Sequence, residues 1–400
     1  WRESAVAPGH GAARRHAASA VRGRSGRMGP VTLDAPVLNP DVSTPPDVAP
    51  DGRLLLLAPS SNRVYAGDAA RLNAAEITLL AGALGIEASV EPVTVAGVDY
   101  LAVAGDDDRL DRVVSEASGA FALFGARDGL LSPTPLERRR LYTDDVVTIQ
   151  KYQGKTNEQF THLLLNVTAA LSKRPAQLLD GTLHVLDPMC GRGTTLNTCL
   201  LRGLDITGIE VDKGDFEQYQ AFITTWLRTH RLKHEIDATQ IRRSGRTYGR
   251  ALELETAPSK EDWKAGRTQQ VTYLSMDTTK LPDVMRRASV DVVVTDLPYG
   301  VQHGSHGSNG ERLARSPLRL LDRALPGWHD ALRTGGTIGL AYNRHVAGPE
   351  AMAEALEAHG FTVVHGHGVD GPTQGHVAAD AFRHRVDASI DRDIVVARKG

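Results

Sequence analysis

Two short stretches carry residues whose types and spacing could do chemistry. The first is Asp187-Pro188-Met189-Cys190-Gly191-Arg192-Gly193-Thr194-Thr195, set between an apolar run, Leu183 to Leu186, and a helical pattern, Leu196 to Arg202. The second is Asp296-Leu297-Pro298-Tyr299-Gly300, directly after the run Val290 to Thr295. A strand, a glycine turn and a helix in that order build a ligand crevice at the carboxyl edge of a parallel sheet. The third glycine of a dinucleotide-binding loop is missing, because position 196 is Leu. Asp187 would repel a pyrophosphate but suits the ammonium of a methionine moiety. Glu210 and Val211 follow about 20 residues on, where an acid accepts ribose hydroxyls. Asp277, followed by Thr278, stands at the end of a third apolar run and could accept from an adenine amino group. Charge-assisted bonds of this kind contribute about 1.5–3 kcal/mol each. These residues fit S-adenosylmethionine. The competing reading is a glycine loop whose strand-end acids merely cap helices.

The second stretch suits an exocyclic amino group, whose lone pair is delocalised into its ring. Two acceptors can hold its protons and turn the lone pair outward: the Asp296 carboxylate, and the Leu297 carbonyl that Pro298 keeps extended. Tyr299 can stack on a base, worth ~1–3 kcal/mol. Catalysis is then mainly alignment, with no metal and no covalent step. His303 and His306 lack further ligands at suitable spacing, so no metal site is expected. His303 lies in a loop, 302–310, that could fold over the substrate.

The elements that must position these loops alternate strand and helix from Leu183 to the C-terminus, which predicts a doubly wound α/β domain. Strands are expected at Ile206 to Asp212, Val271 to Asp277, Val290 to Thr295, Thr337 to Tyr342, Phe361 to His365 and Ile394 to Ala397. Val146 to Ile149 reads as another strand, and Phe160 to Leu171 as a helix with Thr156 or Asn157 as its cap. The crossover from Asp212 to Val271 is too long for one helix, so 228–269 reads as an insertion. Its first part, 228–250, holds seven Arg or Lys against two acids, making Arg242, Arg243 and Arg246 candidate substrate contacts. The competing view is a solvated face.

Ahead of this domain, residues 53–128 give the order β-α-β-β-α-β of a small ferredoxin-like domain. Arg63 to Ala66 reads as a short pairing segment and Asp68 as a helix start. Residues 129–150 read as a linker. Residues 1–52, rich in Pro, Gly, Arg and small residues, read as a disordered leader, with Met28 a candidate natural start. The doubly wound α/β portion is then 151–400.

The chain has 400 residues and a formal net charge of −2, so a nucleic-acid partner would need a local basic patch. Two cysteines, Cys190 and Cys199, cannot make a disulfide framework and point to a reducing, cytoplasmic setting. No run of about 18 apolar residues predicts a membrane span. Four late histidines, His365, His367, His376 and His384, are expected at the surface or facing RNA.

The motifs D-P-M-C-G-R-G-T at 187–194, D-L-P-Y-G-V at 296–301 and K-T-N-E-Q at 155–159 resemble a family of class I methyltransferases. It is the THUMP-associated tRNA guanosine-N2 methyltransferase family. The resemblance covers about residues 144–400. It implies a seven-stranded Rossmann-like fold, S-adenosylmethionine contacts at Asp187, Gly191, Glu210 and Asp277, and amine contact at Asp296 with Tyr299. Pro188, Cys190, Gly193, Thr194, Thr195, Val211 and Thr278 join the cofactor set by position. Position 297 is Leu where the family pattern has Pro. Residues 53–143 have room for the ferredoxin-like part but not for a full THUMP domain. The expectation is N-methylation of guanosine in tRNA or other structured RNA. Alternatives are a small-molecule, peptide or protein-amide methyltransferase, and a non-catalytic cofactor- and RNA-binding protein.

Overall fold

The computed structural model describes residues 52–60, 63–152, 154–298, 317–369 and 377–400. The N-terminal part begins with strand β1 (Gly52–Leu57) and helix α1 (Arg63–Ala83). It continues with β2 (Ser89–Val95), β3 (Val98–Ala104), α2 (Leu110–Ser115) and β4 (Ala120–Arg127). A further strand, β5 (Leu130–Thr134), pairs with β4, so the sheet is antiparallel with order β2-β3-β1-β4-β5. The first four strands have the ferredoxin-like arrangement. β5 extends it where a linker is expected, because Asp128 and Gly129, both in the left-handed region, turn the chain straight back. Residues 63–66 belong to α1 rather than to a strand: Tyr65 is buried one turn before Asp68.

The segment around Val146 is also not a strand. It forms the short helix α3 (Asp145–Thr148), with Val146 and Val147 buried. Lys155 supplies the reason: its ammonium donates to the Val147 carbonyl at 2.7 Å and the Gln150 carbonyl at 2.9 Å, satisfying the carbonyl end of that turn. Helix α4 (Glu158–Ala170) starts at Asn157, whose side chain accepts from Phe160 N at 3.1 Å.

The elements that follow are α5 (Ala176–Asp180), β6 (His184–Asp187), α6 (Thr194–Arg202), β7 (Asp205–Glu210) and α7 (Lys213–Thr229). Then come β8 (His234–Arg243), β9 (Arg246–Thr256), α8 (Lys260–Lys264), β10 (Gln269–Ser275), α9 (Leu281–Val284) and β11 (Val290–Asp296). The chain closes with α10 (Pro317–Ala331), β12 (Leu332–Asn343), α11 (Pro349–Glu357), β13 (Phe361–His365), β14 (His384–Arg385) and β15 (Asp391–Lys399). Seven strands run β10-β7-β6-β11-β12-β15-β13, all parallel except β15. This is a class I methyltransferase-like sheet. It has ten strands rather than seven: the insertion folds as the hairpin β8–β9 on the β10 edge, and β14 pairs with β15.

Central strand β11 shows why its middle, Val292 to Val294, is continuously apolar. Val292 and Val294 enter one core with Phe160, Leu200 and Tyr219. Val293 enters the other with Leu321, Trp328 and Leu356. The first core runs on into the small N-terminal sheet through Leu55, Leu72 and Val113. A buried polar network joins the two parts. Glu76 on α1 accepts from Ser118 N, from Ser118 Oγ at 2.6 Å and from Asn166 Nδ2 at 2.6 Å. Arg202 on α6 donates to Asn166 Oδ1 at 2.6 Å and to Glu116 at 2.8 Å. Burial pushes the Glu76 carboxyl up to about 7.

His365 and His384 are not at the surface. Each is almost fully buried, packed against Phe382 and Phe160 respectively, and burial pushes both down to about 4. Aromatic neighbours, which periodicity does not reveal, hold them there. His367 is exposed, and His376 lies outside the described residues.

Candidate functional site

The strand order reverses between β6 and β11, so the loops leaving their carboxyl ends flank one crevice. On the β6 side, Asp187 is almost fully buried. It accepts from Met189 N at 3.1 Å and from the Thr295 hydroxyl at 2.9 Å. Burial pushes its carboxyl up to about 6; its hydrogen bonds oppose the shift and the charge of Glu210 adds to it. Glu210, at the end of neighbouring β7, accepts from Gly191 N at 3.1 Å, Val211 N at 2.8 Å and Asp212 N at 2.9 Å. Burial raises it too. Glu210 therefore ties the glycine loop to the next strand.

Gly193 lies at φ +83°, and a Cβ there would sit 2.5 Å from the Tyr219 ring, so the helix can start only with glycine. At Gly191 a Cβ would meet nothing within 4 Å, so the loop is open to a close-fitting ligand on that side. The Gly191 carbonyl accepts from the buried Tyr273 hydroxyl at 2.6 Å, and Tyr219 and Phe216 pack edge-on to the same ring. The hydroxyl of Thr194 lies 3.1 Å from that of Tyr152. Cys190 packs inward: its thiol is pushed up by burial, its N–H donates to Ile209 O at 2.9 Å, and Gly208 leaves room for its sulfur. Pro188 is buried beside Asp187, and Val211 is exposed.

The third acid stands differently. Asp277 accepts from Thr279 N and Thr279 Oγ1, both at 2.9 Å, capping a 3-10 turn at Thr278–Lys280. The Thr278 hydroxyl accepts from Trp328 Nε1 at 2.9 Å and is buried, which leaves its backbone rather than its side chain for a ligand. Among the strand-end acids, capping is thus the visible role of Asp277.

On the β11 side, Asp296 is the last strand residue. Its Oδ2 accepts from Thr156 Oγ1 at 3.0 Å and from Arg392 Nη2 at 3.3 Å. Leu297 is buried and its N–H donates to Ala341 O at 2.9 Å; Pro298 is exposed. The Thr295–Asp187 bond stitches the two loops together. Tyr299, His303 and the rest of the 302–310 loop lie outside the described residues. Arg392 was not singled out by sequence reasoning, which starts the last strand at Ile394. The strand begins three residues earlier and, being antiparallel, brings its first residues to the site edge.

Arg242, Arg243 and Arg246 sit at the tip of the β8–β9 hairpin, all exposed. Arg250 pairs with Ser275, the last residue of β10, so the tip continues beyond the sheet edge that carries Asp187 and Asp296. Gly249 makes this passage possible: a Cβ there would stand 1.9 Å from the Ser275 carbonyl. The insertion is not uniformly basic. At its far end Glu235 pairs with Glu255 and Asp237 with Glu253. The strand register gathers the acids away from the site edge and the arginines beyond it.

Residues 158–337 match the UPF0020 family, described as an RMKL-like methyltransferase domain. Over this segment the chain is similar to an S-adenosylmethionine-dependent methyltransferase domain. The donor set fits that cofactor: a buried carboxylate at Asp187, a half-buried one at Glu210 and open space at Gly191. Asp187 and Glu210 would hold it. No curated protein matches the sequence. Among solved structures, TrmN from Thermus thermophilus is 14% identical with a TM-score of 0.35, over 78% of this chain and 60% of that one. A TehB-like S-adenosylmethionine-dependent methyltransferase from Corynebacterium glutamicum is 14% identical, TM-score 0.30, over 56% and 86%. The 1,6-didemethyltoxoflavin-N1-methyltransferase of Burkholderia thailandensis, with S-adenosylhomocysteine bound in its structure, is 15% identical, TM-score 0.31, over 59% and 78%. The chain spans 60% of the TrmN length.

Proposed function

We propose that the protein is an N-methyltransferase acting on an exocyclic amino group, that of guanosine N2 in tRNA or another structured RNA. The observation that carries this reading is a strand-end carboxylate, Asp296, one hydrogen-bonded step (through Thr295) from the cofactor carboxylate Asp187. S-adenosylmethionine, when bound, supplies an electrophilic methyl on a sulfonium. Asp187 would attract its ammonium and Glu210 its ribose hydroxyls. Asp296 accepts a hydrogen bond from the acceptor amine and turns its lone pair outward; Leu297 offers a carbonyl for the other N–H, and Tyr299 a stacking face. Alignment of this kind is the main source of rate. The RNA reading is supported by the arginines of the hairpin tip, beyond the same sheet edge.

Labelled-methyl transfer to total RNA, DNA and a protein and metabolite extract tests the reading. Label in RNA, lost in Asp296→Ala while S-adenosylmethionine still binds, is the expected result. Label only in a metabolite or peptide fraction would replace RNA by a small-molecule or amide acceptor, which the net charge of −2 also suits. Cofactor binding with no transfer to any fraction would leave a non-catalytic binding protein.

A further inference from the structure

We propose that Arg392 and Thr156 are positioning residues for the transfer reaction, fixing the plane of the Asp296 carboxylate from two directions. The proposal rests on the reading of Asp296 as the amine acceptor. Both residues donate to the same oxygen, Oδ2, Thr156 at 3.0 Å and Arg392 at 3.3 Å. A carboxylate held by one donor can swing about its Cβ–Cγ bond; two donors from different elements on one oxygen restrict that swing. Preorganised geometry of this sort separates a productive acceptor from a carboxylate that is merely nearby.

Arg392 is built for the task. Its side chain is only 6% exposed, and its guanidinium lies 4.3 Å over the Phe160 ring, which keeps the planar group from rotating. A buried guanidinium needs a partner, and Asp296 is one. Thr156 is anchored by its neighbours. Lys155 ties the preceding residue to Val147 O and Gln150 O, and Asn157 caps α4. The small N-terminal part adds two bonds on this same segment: Asn157 donates to Ser60 Oγ at 3.2 Å and Gln159 to Ala58 O at 3.2 Å. The loop that carries Thr156 is thus clamped by both parts of the molecule.

The test uses the full chain, total RNA as acceptor and labelled methyl donor. Rates are measured at saturating and limiting RNA, and S-adenosylmethionine affinity by calorimetry. Asp296→Asn, Arg392→Gln, Arg392→Lys, Thr156→Val and Thr156→Ser are compared. The expected pattern is a loss of roughly 10–100-fold in the saturated rate for Arg392→Gln and about tenfold for Thr156→Val. Cofactor affinity and half-saturating RNA should stay within twofold, with recovery in Thr156→Ser. Full rates in Arg392→Gln and Thr156→Val beside an inactive Asp296→Asn would overturn the positioning roles alone. A fully active Asp296→Asn would overturn the underlying reading as well. If Arg392→Gln does not fold, Arg392→Lys and Thr156→Val decide; a loss confined to cofactor affinity or melting temperature in them counts against the proposal.

Discussion

The two sides of the crevice hold their carboxylates by opposite means. Asp187 and Glu210 are held mainly by amides of their own or adjoining loops, Met189 N for one and Gly191 N, Val211 N and Asp212 N for the other, with the Thr295 hydroxyl reaching Asp187 from β11. Asp296 is held by side chains 140 and 96 residues away in the chain. The cofactor side is the more local of the two, built on one strand–loop–helix unit and the strand after it, with single long-range bonds from Tyr273 and Thr295. The acceptor side exists only when α4, β11 and β15 have come together. A general ligand site can be encoded in a short motif, whereas the orientation of a reacting group needs the whole sheet.

This contrast can be broken most severely at the acceptor end. Asp296→Asn keeps the shape but gives up a charged acceptor, and transfer should fall by roughly 10²–10³ while S-adenosylmethionine binding, followed by calorimetry, stays intact. Parallel loss of binding would show that the two sides are not separable. Next comes the cofactor loop. Gly193→Ala forces a Cβ into the Tyr219 ring at a left-handed φ; a destabilisation of about 1–3 kcal/mol in chemical denaturation is expected, with weakened cofactor binding. An unchanged affinity would mean the loop is more adaptable than a local device should be.

A milder probe is pH. Asp187 titrates near 6 in the free protein because burial disfavours its charge. An ammonium ligand needs the charged form, so cofactor affinity should decline as pH falls through about 6, by up to tenfold per unit, and Asp187→Asn should bind weakly with a flat profile. The sign for stability is the reverse: the carboxyl's pKa is raised over its unfolded value, so this group's contribution to the free fold improves as pH falls from about 6 toward 4. The smallest effect belongs to the hairpin. Reversing the charge of Arg242, Arg243 and Arg246 should flatten the salt dependence of RNA binding, the slope falling by about one unit for each phosphate that an arginine no longer neutralises. An unaltered slope would make the tip an ordinary solvated turn.

Much of this was legible in the sequence for a physical reason. The glycine loop, the buried β11 and the alternation of elements are short-range patterns, set by backbone sterics and by periodicity. The hairpin was legible as surplus length, but not the separation of its charges, which follows from cross-strand register. Arg392 was hidden because a charged residue ahead of an apolar run reads as a loop; only the antiparallel entry of β15 reveals it as a site residue. The helix around Val146 was misread because its end is satisfied by Lys155, a residue beyond the window in which strand and helix are told apart.

The buried Glu76–Asn166–Arg202–Glu116 network has one more consequence. Arg202 lies on α6, and its partner Glu116 caps the end of α2 in the small N-terminal part. A fragment cut near residue 140 would leave the Arg202 guanidinium with Asn166 but without its carboxylate, a loss of about 3–5 kcal/mol from the ion pair alone. Trimming either part away is therefore expected to destabilise the other.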